Sequence, residues 1–132
     1  MLTPIQLVNQ ARESINECDN QALCQAIDQK KLIIDVREPD EYANGYIANA
    51  INIPRGLIEF AILSHPKVKP LLDESNISKT NIFIYCKSGG RSALAAQSLQ
   101  SLGFEHVYSL QGGIQNWEAA GFKINKEDTF HY

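Results

Sequence analysis

Apolar positions in this chain fall into short blocks separated by polar residues, glycine or proline, and helical and strand-like periods alternate between them. Thr3 followed by Pro4 predicts a helix start, with Thr3 as N-cap and Pro4 at the first helical position, running to about Ile15. Asp19 caps a second, short helix whose face is marked by Leu23, Ala26 and Ile27. Lys31 to Val36 is an apolar run too short for a helix and rich in β-branched residues, hence a buried strand. Glu38 to Gly45 follows as a short helix, opened by Pro39 and closed by the glycine. Ile51 to Ile53 is a brief strand stopped by Pro54, and a helix is predicted from Gly56 to Ser64, before His65 and Pro66 break it. Asn81 to Tyr85 is the best-defined strand and is expected at the centre of a sheet. It leads through a glycine-containing loop into a helix from Ser92 to Leu102, ended by Gly103. Val107 to Leu110 is the last strand; Gln111 to Gly113 then turns into a final helix that holds Trp117 and ends near Gly121. This alternation predicts an α/β domain with a mostly parallel sheet.

Composition narrows the function classes. At 132 residues, 44% apolar and 20% charged, the chain is the size of one ordinary domain with a real core. A net charge of -3 argues against a nucleic-acid partner. The N-terminus shows no basic stretch followed by an apolar run, and no apolar run approaches membrane-spanning length, so neither a secretory signal nor a membrane partner is expected. Three cysteines in no framework spacing fit a reducing compartment, with the cytoplasm as the expected location. His65, His106 and His131 show no metal-ligand spacing, and no metal site is expected of them.

The chemistry concentrates in one loop. Cys86 stands at a strand end, just before a helix N-terminus, followed by Lys87, Ser88, Gly89, Gly90, Arg91 and Ser92. The two glycines let the backbone curl so that successive N–H groups point inward. Together with the positive end of the following helix they form a seat for an anion, which favours thiolate over thiol. Lys87 and Arg91 add positive charge there, and Lys87 is the expected substrate contact. Arg91 has two readings: a substrate contact, or a tie between the loop and the sheet. Asp35 and Arg37 leave a neighbouring strand at the same edge and are expected to support the architecture, with Arg37 and Glu41 able to pair across the short helix's start. Cys18 and Cys24 are read as packing residues, and Trp117 as core.

The stretch Cys-Lys-Ser-Gly-Gly-Arg-Ser at 86–92 resembles the active-site loop of rhodanese domains. Residues 32–42, running on through 45–54, look like that family's first signature, and residues 107–121 like its closing one; the resemblance covers roughly 19 to 124. Many relatives carry histidine where this chain has Tyr46, a position read as structural. The resemblance implies a three-layer domain over 19–126 with a central, mostly parallel five-stranded sheet flanked by helices. A helical extension at 1–18, with no role derivable from sequence, would precede it, and a tail at 127–132 would follow. It implies a sulfurtransferase that moves a sulfane sulfur from thiosulfate or another persulfide donor, through a persulfide on Cys86, to a thiol or cyanide acceptor. Residues 87–92 would bind substrate, and no metal or organic cofactor would be needed. A persulfide carrier serving a protein partner is the alternative. A Cys-dependent phosphatase or arsenate reductase is a further one, but related phosphatases place five residues between the cysteine and the arginine of their loop, and this chain has four.

Overall fold

The computed structural model describes residues 1–126; the tail expected at 127–132, and His131 with it, lie outside the described residues. Six α-helices and five strands alternate: α1 Pro4–Ser14, β1 Asn16–Cys18, α2 Asn20–Asp28, β2 Leu32–Asp35, α3 Pro39–Ala43, β3 Ile51–Asn52, α4 Ile58–Ala61, β4 Asn81–Tyr85, α5 Gly90–Leu102, β5 His106–Leu110 and α6 Gly113–Ala119. The strands form one sheet in the order β1-β5-β4-β2-β3, every pair parallel. A parallel sheet buries both faces, which is why all four β2 residues are buried and the run reads as continuously apolar.

Alternation along the strands divides the core in two. Leu32, Ile34, Ile82, Ile84 and Val107 face α4 and α5, where Ile58, Ile62, Ala95, Ala96 and Leu99 close over them. Ile33, Tyr85 and Leu110 face the other way, against Leu23 and Ala26 of α2 and Ile114 and Trp117 of α6. The alanines of α5 let that helix approach the sheet closely.

The helix ends follow their local chemistry. Thr3 and Gln6 form a reciprocal capping box on α1, Asp19 accepts from the Ala22 N–H at 2.8 Å, and Glu41 Oε1 accepts from the Glu38 N–H at 3.1 Å. Three elements differ from the sequence reading. The helix expected over 56–64 is a 3-10 turn at Arg55–Leu57 followed by α4. The regular ladder ends where the Ser64 N–H takes an i→i−3 bond to the Ala61 carbonyl, two residues before Pro66. The helix expected from Ser92 begins two residues sooner, because Gly89 takes the N-cap with φ +110° and Gly90 and Arg91 form the first turn. β1 was not expected; its three residues pair with Tyr108, Ser109 and Leu110 at the sheet edge, and Cys18 is the one side chain of the three that is buried.

Because all strands run the same way, Val36, Ile53, Cys86 and Gln111 leave the sheet at one carboxyl edge, where ligands bind in such sheets. Among the described residues no helix is long and apolar enough to cross a membrane.

Candidate active site

β4 delivers Cys86 to that edge, where the side chain is buried under its own loop. Two backbone donors converge on its sulfur. The Gly89 N–H reaches Sγ at 3.1 Å and the Ser92 N–H at 3.4 Å, so the curled loop and the first turn of α5 both point at it. Ser92 Oγ accepts from the Cys86 thiol at 3.5 Å, donates to the Gly89 carbonyl at 3.2 Å and shares a hydrogen bond with Ser109 Oγ at 2.8 Å. A sulfur bearing negative charge is therefore met by dipoles already fixed in place.

The loop is held from three sides. From α6, the Ile114 and Gln115 N–H groups donate to the Cys86 and Lys87 carbonyls at 2.9 and 3.0 Å. Gly113 makes that approach possible: with φ +62°, any Cβ there would collide with those same carbonyls. From α3, Glu41 takes a bidentate pair from Arg91 at 2.7 and 3.0 Å. That bond, opposed in part by burial, pulls the Glu41 carboxyl down to about 2, and Glu41 in turn raises the Arg91 guanidinium. From α1, the Arg12 guanidinium and Val8 lie against Gly89 and Gly90.

Of the residues expected at the site, 86–92 stand together as one loop and helix start. Lys87 and Ser88 are exposed, Gly89 and Ser92 are buried, and Gly90 and Arg91 are half-buried. Arg91 is taken up by Glu41 and so ties the loop to α3. Asp35 and Arg37 lie one strand away and pair with each other. Arg37 Nη2 donates to Asp35 at 2.7 Å and to the Gly45 carbonyl at 2.6 Å, and Asp35 accepts the Arg37 N–H at 2.9 Å. The expected pairing of Arg37 with Glu41 is thus corrected. Arg37 turns back onto its own strand end, leaving Glu41 on the first turn of α3 to face Arg91.

Sequence reasoning missed four features. Glu41 as partner of Arg91 has no local signal, being 50 residues away. Ser109 could have been suspected as a lone serine among apolar inward positions of a strand. Tyr85 accepts the Ile47 N–H at 3.0 Å, fixing the segment after α3, and burial raises its phenol far above the usual range. Arg55, following β3 at the same sheet edge, keeps its Nε buried without a hydrogen-bond partner among the described residues.

Cys18 and Cys24 lie apart from the loop. Burial, aided by Asp19 and Glu17, pushes the Cys18 thiol up to about 12, and burial followed by Asp28 raises Cys24. Tyr46 stacks on Tyr42 with ring centroids 4.4 Å apart and exchanges backbone hydrogen bonds with Asn125, a structural position. Among the described residues no group of three or more potential metal ligands comes together.

Residues 19–120 match the family model of the rhodanese-like domain. A sulfurtransferase of Allochromatium vinosum is 33% identical over 112 residues, covering 83% of this chain and 94% of that one. A thiosulfate sulfurtransferase of Coxiella burnetii is 35% identical, covering 67% and 72%. Among solved structures, a protein of unknown function and possible tyrosine phosphatase from Rhodopseudomonas palustris superposes with a TM-score of 0.77. It is 29% identical, over 95% of this chain and 96% of that one.

Proposed function

The chain belongs to the rhodanese-like domain family, and from that premise we propose that it is a sulfurtransferase whose reacting atom is the sulfur of Cys86. The observation that carries the proposal is the pair of N–H groups of Gly89 and Ser92 converging on that sulfur. The Cys86 thiolate attacks the outer sulfur of thiosulfate. A new S–S bond forms, the old one breaks, and sulfite leaves with the electron pair. The enzyme then holds a persulfide, Cys86–S–S⁻. A thiolate or cyanide ion next attacks the terminal sulfur and removes it, returning Cys86 as thiolate. No net oxidant is consumed, and the steps are relatives of thiol–disulfide exchange.

The roles divide by position. Gly89, Gly90 and Ser92 supply the seat, Lys87 stands exposed at the rim for an anionic donor and its leaving sulfite, and Arg91 braces the loop through Glu41. Asp35 and Arg37 hold the neighbouring strand end. The cytoplasm is the proposed setting, with a small thiol or a protein thiol as acceptor.

The phosphatase reading has one observation on its side, the name given to the Rhodopseudomonas palustris structure. The loop argues against it. A phosphate needs an arginine fork free to hold it, whereas the guanidinium of Arg91 is already engaged bidentately by Glu41.

Intact-protein mass spectrometry after thiosulfate treatment tests the proposal. The mass should rise by one sulfur atom, dithiothreitol should remove it, and Cys86→Ser should gain none. Sulfur retained by Cys86→Ser, or mapped to Cys18 or Cys24, would refute the assignment.

A further inference from the structure

α1 lies before the region matched by the family, yet it packs along α5 and forms the outer wall of the reactive loop. Ala11 is fully buried there, and Val8 Cγ2 lies 3.5 Å from where a Cβ on Gly90 would stand. Arg12 Nη2 lies 3.1 Å from the corresponding position on Gly89, the residue whose N–H reaches the Cys86 sulfur at 3.1 Å. Standard backbone dimensions then place the guanidinium within about 9 Å of the sulfur. A cleft of about 230 Å³ separates the helix from the loop, lined by Val8, Asn9, Arg12, Ser88 and Gly90 among others.

Two guanidinium groups near the loop are differently committed, while Lys87 stands exposed in the loop itself and Arg55 follows β3 at the same sheet edge. Arg91 is neutralised by Glu41 through two short hydrogen bonds, and Arg37 by Asp35. Among the described residues Arg12 pairs with Glu17 alone, through a single long contact of 3.7 Å from Nε, while its Nη2 lies on the loop side beside Gly89. We propose that Arg12 is a positioning residue of the site, which favours anionic reactants at Cys86 by placing positive charge behind the Gly89 N–H. The helix that carries it is therefore part of the reactive centre. Its relevance to sulfur transfer rests on the reading of Cys86 given above, but its effect on Cys86 itself does not.

The test compares alkylation of Cys86 by iodoacetate, an anion, with alkylation by neutral iodoacetamide at one pH, followed by peptide mass mapping. A merely structural role changes both rates alike; a charge changes their ratio. In Arg12→Gln the iodoacetate rate should fall about two- to five-fold relative to iodoacetamide, as expected for one partly screened charge at this distance. Arg12→Lys should keep the ratio, and Glu17→Gln, which frees the guanidinium, should shift it the opposite way. An unchanged ratio in both Arg12→Gln and Glu17→Gln would overturn the proposal. If Arg12→Gln fails to fold, Glu17→Gln decides alone. Because alkylation needs no sulfur transfer, a shifted ratio in a protein that never gains sulfur would refute the proposed function and leave this inference standing.

Discussion

At the scale of single residues, what was legible in the sequence was whatever depends on near neighbours. Cys86, the glycine pair and the following helix start are contiguous, so their order alone predicts backbone donors around a thiol. Arg91 was not legible in the same way, because its role depends on Glu41, brought beside it only when α3 and α5 pack. That pair yields a pH prediction. The Glu41 carboxyl is held at about 2, below its ordinary value, so its contribution to stability is complete above about pH 4.5 and fades as pH falls through about 2. Both side chains are roughly a third exposed, so solvent screening limits the contribution to about 1 kcal/mol. In Glu41→Gln the amide oxygen still accepts the Glu38 N–H, which isolates the charge. Urea unfolding should show wild type ahead by about 1 kcal/mol at pH 6, with the gap closing towards pH 2. A gap that stays constant across this range would mean that the pair does not act through ionisation.

At the scale of elements, periodicity predicted the strands and helices that carry buried apolar faces and failed where backbone geometry decides. β1 is three residues with two exposed side chains, held by its ladder to β5, and leaves no pattern to read. The early start of α5 follows from a positive φ at Gly89, which composition hints at but does not fix. This start matters for chemistry, since it puts Ser92 in the first turn of α5, with its N–H 3.4 Å from the Cys86 sulfur. Four residues close the loop tightly enough for Gly89 and Ser92 both to reach the same sulfur. A phosphate has oxygens on every side and needs a wider ring of donors. Inserting one glycine between Ser88 and Gly89 should therefore cost at least tenfold in thiosulfate–cyanide activity, because the two N–H groups can no longer converge on one atom. The unmodified protein should hydrolyse aryl phosphates negligibly. Cys86-dependent phosphatase activity in the wild type, or full sulfur transfer in the lengthened loop, would contradict this account of the site.

At the scale of the whole molecule, the fold class was legible and the strand order was not. Alternating strands and helices predict a parallel sheet, but β1 pairs with the last strand in the chain, an arrangement that only tertiary packing selects. The same packing bears on the N-terminal helix. In sequence, residues 1–18 read as an extension outside the domain. In space, β1 is an edge strand of the sheet, Ala11 is fully buried, and Ile15 packs on the core shared by α4 and α5. We propose that the folding unit includes α1. Its docking involves a few apolar side chains, about 2–3 kcal/mol after losses to chain entropy. Removing residues 1–15 should therefore leave a folded sheet but lower the thermal midpoint by about 5–10 °C. Activity should fall more than the lost stability explains at 25 °C, since the wall behind Gly89 goes with the helix. Circular dichroism melts and thiosulfate–cyanide rates on the same truncated protein separate the two effects. An unchanged midpoint together with unchanged activity would return α1 to the status of an appendage. A lowered midpoint with full activity would make it a structural brace with no part in the chemistry.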